Sequence, residues 1–329
     1  MLIRFGVLGA ARIVPEALTG PAHRVDGVEV AALAARDPER AAAFAAEHKI
    51  PRTVPTYEAL VADPGIDAVY VPLPNGLHGR WTLAALAAGK HVLCEKPFTA
   101  DAAEARTVAG VAAGSGLVVA EAFHYRYHPL AARLAEIVAS GELGPVRHIE
   151  IVHSAPIARR GDIRYRLDLA GGALMDMGCY AVSLLRHLAE GQPTVVSARA
   201  KLSSPGVDRA LRASLTLPGG GTATIRCSMF SSSVLAAHAK VVGDAGELRV
   251  LNPFAPQHYN RLTVRTETAG RRVERLTRRP TYDFQLRAFA AAVAGGPPVL
   301  TPPEDAVKNM ALIDDIYRAA GLEPRRPSA

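Results

Sequence analysis

Ile3-Arg4-Phe5-Gly6-Val7-Leu8 runs directly into Gly9-Ala10-Ala11-Arg12-Ile13-Val14, and the junction between the two decides the fold. The first segment is almost wholly apolar, as expected of a strand covered on both faces in a parallel sheet. Gly9 permits a tight turn from strand into helix. Set on the fingerprint GxGxxG, the first glycine is kept, Ala11 holds the second place and Val14 the third. Alanine is small enough to let backbone amides approach a pyrophosphate at a helix N-terminus, whereas valine implies a looser helix–strand contact. By itself the match is weak. It reads as a dinucleotide loop only if a βαβ pattern follows.

That pattern follows. Apolar runs at Ile3–Leu8, Val28–Ala35, Ala68–Leu73, His91–Glu95 and Leu117–Glu121 alternate with helical stretches at Pro38–His48, Leu77–Ala88 and Ala100–Ala113. The alternation predicts right-handed crossovers in a doubly wound sheet. After a helix over Leu130–Ala139 the connections become turns. Extended segments are expected at Val146–Ser154, Val195–Leu202, Ala210–Leu217, Thr222–Met229, Ala239–Val242 and Glu247–Leu251, interrupted by one helix, Ala173–Leu188. Two helices, Tyr282–Ala294 and Pro303–Ala320, come last, and Pro324–Ala329 reads as a frayed tail. The expected fold class is α/β, with an N-terminal Rossmann sheet over 1–123 and a C-terminal α+β domain over 124–329. The sheet of the second domain is expected to be open and largely antiparallel.

Composition narrows the function. The 329 residues, half of them apolar, can bury a core without disulfides or structural metal. The cysteines Cys94, Cys179 and Cys227 have no CxxC or zinc-ligand spacing, which fits a reducing compartment and no metal site. No signal-peptide pattern and no membrane-length apolar stretch is evident, so a cytoplasmic protein with no membrane partner is expected. The net charge of +7 is concentrated between Arg261 and Arg279, where seven arginines face Glu267 and Glu274. This block alternates like a hairpin turning at Ala269-Gly270. It lacks interleaved aromatics, so it reads as a solvated sheet face and no nucleic-acid partner is expected.

The second strand ends in Ala34-Ala35-Arg36-Asp37-Pro38-Glu39-Arg40. Asp37 could bind ribose hydroxyls, as in an NAD site, or cap the following helix with Pro38 at its first position. Under the second reading Arg36 is placed for a 2′-phosphate, with Arg40 assisting, so NADP is expected over NAD.

Five segments then match one family in order: Pro72-Leu73-Pro74-Asn75-Gly76-Leu77-His78, Ala88–Leu93, Cys94-Glu95-Lys96-Pro97, Glu121–Pro129, and Gly171–Tyr180. Together they resemble the glucose–fructose oxidoreductase, inositol dehydrogenase and rhizopine-catabolism family, Gfo/Idh/MocA, from Phe5 to about Tyr317. The Ala-Ala-Arg-Asp and Glu-Ala-Phe segments and Tyr180 are similar to its dimeric dihydrodiol dehydrogenases and NADP-dependent sugar dehydrogenases. Many relatives carry histidine where Tyr180 stands. The resemblance implies that Pro72, Leu73, Asn75, His78, Glu95 and Lys96 border the nicotinamide, with Arg126 near its carboxamide and Gly9–Ile13 on the phosphates. Read by sequence alone, His78 is equally a helix-start residue and Lys96 a solvated strand-end lysine.

Alcohol oxidation needs a base for the hydroxyl proton while hydride leaves. Tyr180 is the candidate, tuned by Lys96, since a nearby ammonium favours the phenolate. Asp176, four residues before Tyr180, shares its helix face and is expected to bind substrate or position the base. An ordinary amphipathic helix with a wet polar stripe is the plainer alternative. The segment Arg159–Asp168 precedes that helix. Its arginines, Arg166 among them, could clamp an anionic substrate or simply be surface charges. His124, Tyr165 and Tyr282 are further substrate candidates, each also readable as packing. The favoured function is an NADP-dependent oxidoreductase acting on a small-molecule sugar or cyclic diol. Alternatives are a redox-assisted glycosidase or sugar oxidoreductase that retains its cofactor, and a non-catalytic dinucleotide-binding regulator. The open sheet and the resemblance both suggest a homodimer or homotetramer.

Overall fold

The structure, a computed structural model, describes residues 1–157, 161–189, 191–230 and 235–329. They divide into two compact units. The first comprises Met1–Tyr127 with Pro280–Val307, and the second His128–Arg279 with Lys308–Ser328.

The first unit holds a six-stranded parallel sheet of β1 (Ile3–Leu8), β2 (Val28–Ala34), β3 (Thr53–Val54), β4 (Ala68–Val71), β5 (His91–Cys94) and β6 (Val119–Glu121). Their order is β3-β2-β1-β4-β5-β6. The doubly wound expectation holds, because strands buried on both faces leave an apolar run that sequence inspection finds directly. Side-chain caps start three of its helices: Asp37 accepts from the Arg40 amide at 3.1 Å, Thr56 from Ala59 at 3.0 Å, and Asp101 from Glu104 at 2.8 Å. Such a cap is worth about 1 kcal/mol. The short strand β3 and the helix Tyr57–Val61 after it were not anticipated; two residues carry no periodicity to read. The helix Thr281–Val293 also packs here. Phe289 meets Phe5 of β1 with ring centroids 5.5 Å apart, and Tyr282 and Leu286 join the same core.

The second unit holds an eight-stranded sheet: β7 (Val146–Ser154), β8 (Thr194–Ser204), β9 (Val207–Thr216), β10 (Thr222–Ser228), β11 (Ala236–Gly243), β12 (Gly246–Leu251), β13 (Arg261–Thr266) and β14 (Gly270–Glu274). Their order is β14-β13-β12-β11-β7-β10-β9-β8. All neighbours are antiparallel except β10 and β7, which run parallel. The helix expected over Ala173–Leu188 is really two pieces, a π-turn at Leu174–Gly178 and an α-helix at Cys179–Leu188. A close approach accompanies the wider turn. A Cβ at Gly178 would lie 2.6 Å from a Leu174 methyl and 3.0 Å from the Cys227 sulfur on β10. The helix is buried almost all round, with Asp176, Tyr180 and Ser183 all under 9 % exposed, so its polar stripe does not face water.

The tail is docked rather than frayed: Arg325 is 2 % exposed and donates to Asp208 and to the Gly171 carbonyl. The basic hairpin β13–β14 is partly neutralised. Arg272 forms a fork on Glu142 at 2.6 and 2.7 Å, and Glu274 takes Arg133 at 2.8 Å from the helix Pro129–Ala139. Arg133, then Arg272, hold the Glu274 carboxyl down to about 2 against an ordinary 4.5. A depressed carboxylate contributes stability that is complete above the unfolded value and lost as pH falls through the folded one. The Glu274 side chain is 24 % exposed, so solvent screening reduces that contribution. Glu274→Gln should therefore flatten the fall in stability between about pH 4.5 and 2 and leave the slope above pH 6 unchanged, read as urea midpoint against pH.

Candidate active site

Parallel strands deliver their C-terminal ends to one edge of the first sheet, and the predicted residues of that unit gather there. Gly9 follows β1 with φ +99°, a conformation that L side chains rarely adopt, and a Cβ there would come 3.1 Å from a Leu73 methyl. Its amide donates to the Ala34 carbonyl of β2 at 2.7 Å, which fixes the turn. Ala10 is buried, Ala11 and Ile13 half-buried and Arg12 exposed. This bare, small-residue turn leading into Pro15–Thr19 is a cradle that fits a dinucleotide pyrophosphate.

At the end of β2, Arg36 is exposed, and Asp37 is engaged as the cap of its helix. Arg40 turns inward to donate to the Ala10 carbonyl at 2.7 Å, bracing the Gly9 turn. Tyr57 was missed by sequence reading. Burial raises its phenol pKa while the charges of Arg36 and Arg40 lower it, so it sits within electrostatic reach of both. Its ring meets Trp81 edge-on at 5.0 Å.

Pro72 and Leu73 follow β4 and are buried; Asn75 opens the next turn half-buried. His78 sits beneath them at 1 % exposure, one ring nitrogen 2.7 Å from the Leu73 carbonyl and the other 2.7 Å from that of Pro97. It lies between the loops after β4 and β5, and as a neutral ring it donates its one N–H to one of the two carbonyls. Burial, followed by the Lys96 charge among the lowering causes, keeps its pKa below the usual range despite those carbonyls. Glu95 is buried and accepts from Tyr70 at 2.7 Å; Lys96 after it is half-buried, joined to Pro97 by a cis peptide bond. Glu121, at the end of β6, accepts from the Phe98 amide at 2.9 Å. Arg126 lies 3.8 Å from Asp305. His124 and Tyr282, expected as substrate contacts, are buried against each other at 4.1 Å, and His124 meets Thr281 at 2.7 Å.

In the second unit Asp176 and Tyr180 occupy the π-turn and the first turn of the α-helix. Asp176 pairs with Arg164 at 2.9 Å, and Arg164 reaches Asp162 at 3.1 Å. The two carboxylates outweigh the burial cost of the guanidinium and raise its pKa. Tyr180 is 8 % exposed, its ring edge-on to His153 at 5.2 Å and tilted to Phe254 at 5.4 Å. His153 in turn lies 3.0 Å from the Met177 carbonyl. His153 shares strand parity with buried Ile149 and Ile151, and that was the available signal for it. Tyr165 donates to the Ile157 carbonyl at 2.9 Å, and exposed Arg166 pairs with Asp168. Arg159 and Arg160 lie outside the described residues. Among the described residues no cluster of histidine, cysteine and acids could hold a metal ion, and no helix is long and apolar enough to cross a membrane.

Comparisons with known proteins agree with both halves of this description. Residues 3–123 match the model of the oxidoreductase family with an NAD-binding Rossmann fold, and residues 131–249 match the GFO/IDH/MocA C-terminal domain. The chain is 39% identical to D-xylose 1-dehydrogenase (NADP(+)) 2 of Haloferax volcanii, over 96% of this chain and 97% of that one. It is 33% identical to trans-1,2-dihydrobenzene-1,2-diol dehydrogenase of Sus scrofa, over 77% and 75%. Among solved structures, KijD10, a 3-ketoreductase from Actinomadura kijaniata in complex with NADP and TDP-benzene, superposes with TM-score 0.90 at 30% identity, covering 97% and 98%. KijD10 is also solved with one tyrosine replaced by phenylalanine and with one lysine replaced by alanine.

His78→Leu would strip the N–H donor from whichever of the Leu73 and Pro97 carbonyls His78 serves and leave an apolar side chain there. A buried polar group stripped of its partner costs about 1–3 kcal/mol. A loss of that size is expected in urea unfolding, with faster amide hydrogen exchange at Phe98; an unchanged midpoint would remove the bracing role.

Proposed function

The chain belongs to the Gfo/Idh/MocA family of oxidoreductases, and from that premise we propose that it moves a hydride between NADP(H) and a hydroxyl or keto carbon of a sugar, sugar derivative or cyclic diol. The observation that carries this reading is the shared edge of β1, β4 and β5. Three adjacent parallel strands bring Gly9, Leu73 and Glu95-Lys96 to one side of the sheet. Open α/β sheets bind ligands there.

In this reading residues 1–123 bind the dinucleotide, and residues 124–329 supply substrate binding and assembly. The amides of Gly9–Ile13 take the pyrophosphate. Pro72, Leu73, Asn75, His78, Glu95, Lys96 and Arg126 border the nicotinamide, His78 acting by holding its two loops. Arg36 takes the 2′-phosphate: it stands exposed at the end of β2 while Asp37 is occupied as a cap and Arg40 as a brace. The Haloferax volcanii relative is an NADP(+) dehydrogenase by name and KijD10 is solved with NADP, which supports the same choice.

When bound, the cofactor accepts or gives the hydride. The proton is left to this chain. Tyr180 takes it from the substrate hydroxyl in oxidation and returns it in reduction. A free phenol has a pKa near ~10; the Lys96 ammonium stabilises the phenolate and polarises the substrate oxygen. The residues replaced in the two KijD10 variants are separated by the same interval along the chain as Lys96 and Tyr180, which supports giving both a part in the chemistry. Asp176, ion-paired with Arg164, accepts a hydrogen bond from a neighbouring substrate hydroxyl.

Arg164 is committed to Asp162 and Asp176, and Arg166 to Asp168. The described arginines of that loop are thus engaged within the protein, which favours a neutral polyol over an anionic substrate. Assembly as a homodimer or homotetramer through the open sheet of the second unit, in the cytoplasm, completes the proposal.

A spectrophotometric screen of sugars, inositols, uronates and trans-diols with NADP and NAD in parallel should give a reduced-nicotinamide signal with a neutral polyol and NADP. Tyr180→Phe should then lower kcat by about 10²- to 10⁴-fold; wild-type turnover in that variant would sink the assignment. Arg36→Ala should raise KM for NADP about tenfold or more while leaving KM for NAD nearly unchanged.

A further inference from the structure

The helix that carries Asp176 and Tyr180 starts from Gly171-Gly172, and those two glycines are seated on a buried polar cluster. Asp208 of β9 is 0 % exposed and Arg325 2 %. One oxygen of Asp208 accepts from Arg325 at 2.6 Å and from the Tyr317 hydroxyl at 3.0 Å; the other accepts from the Leu174 amide at 2.8 Å. Arg325 uses its Nε to donate to the Gly171 carbonyl at 2.7 Å, and its guanidinium lies over the Tyr317 ring at 4.1 Å. Gly172 has φ +142°, and a Cβ there would come 2.2 Å from Asp208, 2.7 Å from Arg325 and 2.8 Å from the Tyr317 oxygen. No side chain fits between the backbone and the cluster.

The contacts lead straight to the proposed chemistry. Leu174 is the first residue of the π-turn, so its amide fixes where that turn begins, two residues before Asp176. Gly171 also receives the other support of Asp176: a Cβ on it would lie 2.5 Å from the Arg164 carbonyl, and its amide donates to the Arg166 carbonyl at 2.9 Å. One guanidinium therefore holds the start of the π-turn through Asp208 and, through Gly171, the loop whose Arg164 pairs with Asp176.

We propose that Arg325, with Asp208 and Tyr317, is a positioning device for the reaction, setting the placement of Asp176 and Tyr180 from the far end of the chain. The inference rests on the catalytic reading of Tyr180 given above. A fork that bonds a carboxylate and a carbonyl at once is a task for arginine; lysine offers a single ammonium and cannot reproduce it. A buried ion pair is weak evidence of stability; the contacts of this one with Gly171 and Leu174 fit a role in placement.

Two variants test it in the full-length protein. Arg325→Lys keeps a positive charge for Asp208 and loses the fork to Gly171. The double variant Asp208→Asn with Arg325→Met removes both charges and leaves an acceptor for the Leu174 amide. Each is assayed at a temperature where circular dichroism and a thermal melt show it folded. The expected result is kcat lower by about 10- to 100-fold, as for a misplacement of order 1 Å, with KM for NADP unchanged within about twofold. The pH at which the Tyr180-dependent limb of the kcat profile turns should also shift, which loss of folded protein would not cause. In an Arg325→Ala protein, millimolar guanidinium should restore part of kcat.

Wild-type kcat and pH profile in either folded variant would overturn the proposal. So would loss of activity that merely tracks the unfolded fraction, or failure of both variants to fold, since either makes the cluster a plain folding element. Tyr180→Phe separates the two ideas: if it is active, the catalytic reading fails; if it is inactive while the folded Arg325 variants are normal, only the positioning role fails.

Discussion

The hydrogen-bonded pairing of β1 with β2 on one side and β4 on the other, all three parallel, is the constraint from which the candidate cofactor site follows. Parallel neighbours cannot be joined by a hairpin, so each crossover must return over a face of the sheet, and every strand ends on the same edge. The loops that leave that edge have no choice but to gather. Gly9 can sit against Leu73 only because its φ is positive and it carries no side chain. His78 then sits between the second loop and the third, 2.7 Å from a carbonyl of each. Backbone geometry does the assembling, and side chains refine it.

Much of this could be read from sequence because the physics involved is local. Five of the six strands of the first unit lie within apolar runs bounded by turn residues, and their positions needed no partner to be recognised. The caps at Asp37 and Asp101 obey short-range rules. What escaped reading was set by contacts distant in sequence. The assignment of Pro280–Val307 to the first unit depends on Phe289 meeting Phe5. The π-turn comes with a close approach of Gly178 to Cys227. The pairing of Arg164 with Asp176 joins a loop to a helix, and no spacing rule announces it.

The tail shows how a signal can be present and overlooked. Pro324-Arg325-Arg326-Pro327 has the composition of a disordered end. The clue lay elsewhere, in Val207-Asp208-Arg209-Ala210-Leu211, where an aspartate stands inside an otherwise strand-like run. A buried carboxylate needs a cation, and it finds one in Arg325. Lys90, 9 % exposed, is satisfied differently: its ammonium donates to the backbone carbonyls of Asp63 and Ile66.

Each unit is assembled from two separated stretches of chain, and the stretches alternate: first unit, second, first, second. A ribosome releases residues in strict order, and domains commonly fold as they emerge. Here the sheet of the first unit must wait, with the surface around Phe5 uncovered, until the whole of His128–Arg279 has been made and Phe289 arrives to close it. The second unit waits in turn for Tyr317 and Arg325. Neither half of this protein can be finished before the other is nearly complete, so cutting the gene at a single point would not yield two independent folding bodies.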